Sequence, residues 1–364
     1  MEGFMTLRRR RVVLGVIGFA LLTSGVLSQE IPQGPPFKSV PCNMNCSDKG
    51  NITAIEPTKD PALDQGKHRL FVLTDMGADN DDNQSMVRLV LYSNEIDIEG
   101  LVATTSTFMM DRTNTWIIKK VIDAYAQVQP NLLKHDPHYP SAQYLSSLMR
   151  SGSPEYGLGG VGPGMDSEGS KLLIATLKKD DPRPLWVTIW GGANTLAQAL
   201  WKIRTTERPD EAKRLVSKIR VYAIGDQDDS GFWIRREFPG LFWITPTRFG
   251  GTSIRSDDSI THPEMISPAW IAKNIQQGHG PLGEVYPDIA YGMEGDTSSF
   301  LGLIPNGLND PSHPNYGGWG GRFDLYIPEP MMPRRPRPGG RSQSVVVPMP
   351  ETRPLWGSAE DQYI

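Results

Sequence analysis

Four carboxylates fall close together in this chain: Asp75, Asp79, Asp81 and Asp82. Like charges at this density repel unless protons or a cation neutralise them. Oxygen-only ligands favour a hard cation, calcium or magnesium. Beside such an ion, a carboxylate can take a proton from an attacking water. The plainer reading is a helix cap with the remaining carboxylates solvated. A cap uses one carboxylate or two. It gives no reason for Asp75, which ends the apolar run Leu70–Leu73.

The positioning elements are written around this turn. Leu70–Leu73 has strand length, and Thr74 and Asp75 end it. Met86, Val87, Leu89, Val90 and Leu91 then form a helix-like apolar stripe. The helix start offers free N–H groups and positive partial charge to an anion. Further strands are expected at Ile98–Thr104, Leu185–Trp190, Ile219–Ile224 and Leu241–Thr245. Helices are expected at Asn114–Val128, Ser141–Met149, Asn194–Ile203 and Glu211–Ser217. Strands alternating with helices predict an α/β fold, a mostly parallel sheet covered on both faces. Sites in such folds form at the carboxyl ends of strands.

Four later stretches join the turn as candidates. Trp186–Ala197 reads as strand, Gly turn and helix, where Gly191 and Gly192 also suit plain tight packing. Asp226–Arg235 suits a substrate loop, with Asp226 and Asp229 to bind hydroxyls and Trp233 to stack on a ring. A second solvated acidic turn is the alternative. Asp296 precedes a helical stretch and would also serve as its N-cap. Glu155–Gly164 is Gly-rich, but no Gly-Lys-Ser/Thr follows, so it is no phosphate-binding loop.

The segment Thr74-Asp75-Met76-Gly77 to Asp81-Asp82 resembles the N-terminal aspartate motif of nucleoside hydrolases, with about two extra residues in the turn. The run Asn94 to Ser106 and the loop Asn309–Arg322 resemble one branch of that superfamily. That branch is the nucleoside hydrolase-like domain of the Sde182-type cellulose-binding proteins, and the likeness extends over roughly 67–328. It implies a Rossmann-like, mostly parallel central sheet flanked by helices. It also implies calcium held by Asp75, Asp82, the Ile189 carbonyl and Asp296. Asp75 would double as general base, and Asp81 or Asp79 would bind a sugar hydroxyl or support the ion. Many nucleoside hydrolases carry a histidine, acting on the leaving group, just before the late aspartate. Here that position is Gly295. His313 is a conceivable replacement donor.

Two functions follow as expectations. One is calcium-dependent hydrolysis of an N-glycosyl compound, a ribonucleoside or a relative. The other is carbohydrate binding without catalysis, on cellulose or plant cell wall, with Trp190, Trp233 and Trp319 as stacking platforms. A phosphohydrolase is disfavoured, because the Asp-x-Asp spacing is broken at Gly77. Expected partners are a small glycosyl substrate or a polysaccharide, with a second copy of the chain as a further candidate.

The chain has 364 residues and a formal charge of −4, which disfavours a nucleic-acid polymer as partner. Arg8–Arg11 precedes an apolar run from Val12 to Leu27 and a small-residue end at Ser28, a signal-peptide pattern over 1–28. The expectation is a secreted, extracellular protein with no membrane segment after cleavage. An uncleaved signal anchor is the alternative. Residues 29–66 form an irregular leader, in which Cys42 and Cys46 are the only cysteines and are expected to pair. Asn45 and Asn51 lie in glycosylation sequons. Residues 329–364 are Pro-rich and extended, and read as the start of a truncated or missing C-terminal domain.

Overall fold

A computed structural model describes residues 66–246, 263–326 and 355–358. The expected signal peptide, Cys42 and Cys46 with their expected pairing, the sequons and the Pro-rich run lie outside these. Eight strands form one sheet in the order β3-β2-β1-β4-β5-β6-β8-β7. They are β1 (His68–Thr74), β2 (Ile96–Ala103), β3 (Met149–Ser151), β4 (Leu185–Ile189), β5 (Ile219–Ala223), β6 (Phe242–Ile244), β7 (Phe323–Tyr326) and β8 (Leu355–Ser358). Every pairing is parallel except β7 with β8.

The helices that matter are α1 (Asp81–Leu91), α2 (Thr115–Leu132), α3 (Ala142–Ser147), α4 (Glu168–Leu177), α5 (Asn194–Thr206), α6 (Pro209–Ser217) and α7 (Ser230–Glu237). Alternation along β1 assigns them to two layers. Leu70 and Val72 join a core with Met86, Leu89 and Val90 of α1 and Ile118, Val121 and Ile122 of α2. Phe71 and Leu73 join another with Leu173 and Leu177 of α4, Leu196 and Leu200 of α5, Leu215 of α6 and Ile234 of α7. A strand buried on both faces reads as an unbroken apolar run, as Leu70–Leu73 does. Among the described residues, no helix is long and apolar enough to cross a membrane.

Three differences from the sequence reading have physical causes. Helix α4 went unforeseen, although Ser167 caps it in a reciprocal capping box with Ser170. The stretch Asp226–Arg235, read as a loop, folds from Ser230 into α7, because Arg235 ties back to Asp226. The sequence reads residues 329–364 as an extended segment that starts a further domain. Leu355–Ser358 instead enters the sheet between β6 and β7, with Leu355 buried.

Candidate metal and active site

The acidic turn sits at the carboxyl end of β1. Asp75 follows the strand directly, and Gly77 takes φ +92°, a left-handed turn that suits glycine. The Ala78 N–H closes the turn on the Asp75 carbonyl at 2.9 Å. Helix α1 starts at Asp81. The Asp81 N–H donates to Asp79 Oδ1 (2.9 Å) and the Asp82 N–H to Asp81 Oδ1 (3.1 Å). Carboxylate oxygens of Asp79, Asp81 and Asp82 lie within 4.8 Å of one another. Asp79 and Asp81 therefore belong to the cluster together, rather than as alternatives.

Burial makes this geometry costly. Asp75 is 2 % exposed and Asp82 3 %. Burial pushes the Asp75 carboxyl up to about 6, against hydrogen bonds from Ser106 and Asp82 that lower it. Burial, then Asp79, raise Asp81 to about 9. Burial, then the charges of Asp75 and Asp81, hold Asp82 well above the usual carboxylate range, although the Thr74 hydroxyl donates to it. Groups so crowded stay anionic together only with a counter-cation.

Asp296 arrives from the far end of the chain. It is 2 % exposed, and its Oδ2 has no hydrogen-bond partner. Burial first, then the charges of Asp82, Asp81, Asp75 and Asp79, raise its carboxyl well above the usual range. The late aspartate thus feels the charge of the early cluster, although Asp296 and Asp75 fall outside the group whose oxygens lie within 4.8 Å of one another. Its neighbours are stitched onto α1. Arg88 grips Glu294 with two hydrogen bonds, and the Glu294 N–H donates to Gln84 Oε1 at 2.9 Å. The Thr297 and Ser85 hydroxyls lie 3.0 Å apart, and Asn80 Nδ2 donates to the Asp288 carbonyl at 2.7 Å. Glu294 is the single non-glycine residue with positive φ (+51°) among the described residues.

The Gly turn after β4 packs directly on Asp75. A Cβ on Gly191 would stand 2.7 Å from Asp75 Cβ. The carbonyl expected to serve calcium carries one hydrogen bond. Ile189 lies in the ladder, where its carbonyl accepts the Ile224 N–H at 2.9 Å. The loop residue in contact with the cluster is Gly191.

The stretch after β5 is structural where substrate contacts were expected. Asp226 holds both Nη atoms of Arg235, at 2.8 and 2.9 Å. A carboxylate so engaged has little left for a hydroxyl. Asp229 accepts the Leu158 N–H at 2.8 Å and so anchors the Gly-rich loop. Trp233 packs edge-on to Phe238 with Arg204 over its ring, within the α5–α7 layer. Asp228, which drew no attention in the sequence, is buried and accepts the N–H groups of Asn194 (3.1 Å) and Ser230 (2.9 Å). Burial lifts its carboxyl to about 7. An acidic run gave no signal of which aspartate turns inward.

One further stacking platform falls away. Trp190 is fully buried and donates to Ser299 Oγ at 2.8 Å, while Trp319 is 46 % exposed. His313 pairs with Asp310 at 2.8 Å and stacks on Tyr316. No described contact joins it to the acidic cluster.

The donor set is oxygen-only, buried at Asp75, Asp82 and Asp296 and half-buried at Asp79 and Asp81, over-charged, and left with one unbonded carboxylate oxygen. It fits a hard divalent cation such as calcium. The family model described as "Cellulose-binding Sde182, nucleoside hydrolase-like domain" matches residues 69–323. A solved "nucleoside hydrolase-related hypothetical protein" from Saccharophagus degradans, described as associated with carbohydrate metabolism, is 39 % identical. The match covers 82 % of this chain and 67 % of that one, with a TM-score of 0.68. The effector protein XOO4466 is 10 % identical over 84 % of this chain and 92 % of its own, and its TM-score of 0.39 carries no argument. No curated protein matches.

Proposed function

Because the chain belongs to the family of Sde182-type nucleoside hydrolase-like domains, we propose that it is a secreted, calcium-dependent hydrolase of N-glycosyl compounds acting on carbohydrate-derived material. One observation carries this reading. Asp296, buried with its Oδ2 unbonded, lies within electrostatic reach of Asp75, Asp79, Asp81 and Asp82 at the end of β1.

Asp75, Asp82 and Asp296, with Asp79 and Asp81 beside them, would hold the calcium. When bound, the ion neutralises the cluster and orients sugar hydroxyls and water. Asp75 takes the proton from the attacking water. Buried at the end of β1 beside that ion, its carboxylate is placed to act as general base. Gly191 lets the β4 loop pack against Asp75. Closeness of base and substrate supplies the rest of the acceleration.

The test is release of free reducing sugar from a panel of ribonucleosides and other N-glycosides, with calcium and with chelator. Chelator-sensitive release, lowered roughly 100-fold or more in Asp75→Asn, supports the reading. No release from any substrate overturns it.

A second reading is carbohydrate binding without turnover. The observation that favours it is Gly295, which stands where many nucleoside hydrolases keep the leaving-group histidine. Cellulose pull-down that is unaffected by Asp75→Asn, with no sugar released, would select it. The relative from Saccharophagus degradans, associated with carbohydrate metabolism, supports a carbohydrate partner under either reading.

A further inference from the structure

A cavity of about 510 Å³ opens at the end of the sheet opposite the acidic cluster. It lies where β5 and β6 begin, at Ile219 and Phe242, whereas Asp75 lies where β1 ends. Its volume is that of a small-molecule site. The walls combine aromatic and aliphatic side chains, Phe238, Phe242 and Val216, with three cations, Arg204, Lys213 and Arg220. Among the described residues, no carboxylate lines it.

The cations differ in how they are engaged. Arg204 is paired with Glu237 at 2.8 Å. Arg220 has no acidic partner among the described residues. Its Nη1 donates to the Ser217 and Ile219 carbonyls, at 2.9 and 3.0 Å, and its guanidinium lies 5.7 Å from the Phe242 ring centre. Among the described residues, neither Nε nor Nη2 has an acceptor. A half-buried guanidinium with open donors beside an aromatic wall matches a planar anion, which it binds by paired hydrogen bonds. Lys213, exposed at the rim and also without an ion pair, adds attraction for the same charge.

We propose that this cavity is a second ligand site, which binds a small aryl carboxylate. The ring lies between Phe238, Phe242 and Val216, and the carboxylate meets Arg220, with Lys213 at the mouth. The site stands apart from the acidic pocket and does not depend on the hydrolase reading.

The experiment is calorimetric titration of the full chain with naphthalene-2-carboxylate and with the neutral 2-naphthylmethanol. The carboxylate should bind roughly tenfold more tightly, the worth of one charge-assisted contact. Arg220→Met should remove that difference. Lys213→Gln, on the exposed face, should reduce it by a smaller factor. Val216→Trp should fill the cavity and weaken both ligands. Asp75→Asn should leave both affinities unchanged. Equal affinity for the two ligands, absence of binding by both at millimolar concentration, or full carboxylate binding in Val216→Trp each overturns the proposal. So does loss of binding in Asp75→Asn. If Arg220→Met does not fold, the Lys213→Gln and Val216→Trp results decide.

Discussion

Arg88 and Glu294 join across 206 residues of chain, with Arg88 Nη2 2.7 Å from Glu294 Oε1 and Nε on the other oxygen. Two residues beyond Glu294 lies Asp296, so this pair delivers the late carboxylate to helix α1 and its acidic turn. The Glu294 side chain is 4 % exposed, and Tyr286 and Thr297 also donate to it, at 2.9 and 3.1 Å. Such a network holds a left-handed glutamate that is unfavourable on its own.

Arg88→Met should therefore leave a buried carboxylate without its cation. Arg88 is itself 39 % exposed, which moderates the loss to ~2 kcal/mol. Denaturant unfolding measures it. Calcium affinity, read by calorimetry, should fall together with stability. Unchanged affinity would show that the pair does not position Asp296.

Asp296→Asn removes one of several crowded buried charges. In chelator at pH 8, the variant should melt higher than the parent, by a few degrees for each kcal/mol relieved. Added calcium should stabilise it less than it stabilises the parent. A lower melting temperature in chelator would contradict the repulsion described here.

Stability of the cation-free protein should fall as pH rises from about 4 to 9. Asp75 is raised to about 6 and Asp81 to about 9, with Asp82 and Asp296 also raised. Over that window the native state binds more protons than the unfolded chain. The derivative of unfolding free energy with pH is then negative. Stability is full below the unfolded carboxylate range and is lost as pH passes through the folded values. Saturating calcium displaces those protons and should flatten the slope. Melting curves at pH 5 and pH 8, with chelator and with calcium, test both signs.

Gly191→Ala places a methyl group 2.7 Å from Asp75 Cβ, where backbone and strand end leave no room. The expected cost is ~1–3 kcal/mol of stability. Displacement of Asp75 should also weaken calcium binding. Alanine tolerated at full affinity would show that the contact relaxes freely.

Much of the framework was legible because it is local. The run Leu70–Leu73 announced a strand buried on both faces, and the stripe from Met86 to Leu91 announced α1. The acidic turn was visible as a charge density no solvated loop requires. Other parts were illegible for the same reason. Helix α7 depends on the Asp226–Arg235 pair, and β8 depends on finding β6 and β7, so neither shows as a run in its own segment.

By itself the sequence determined the α/β alternation, the turn after β1 and the residue types able to hold a hard cation. Hydrophobic period and local charge are properties of neighbours in the chain. Only the tertiary structure decided which aspartates work together. It turned Asp228 inward, gave Asp226 to Arg235 and Asp229 to the Gly-rich loop, and brought Asp296 to Asp82. Those outcomes depend on burial and on partners distant in sequence, and both come into being only when the sheet closes its layers.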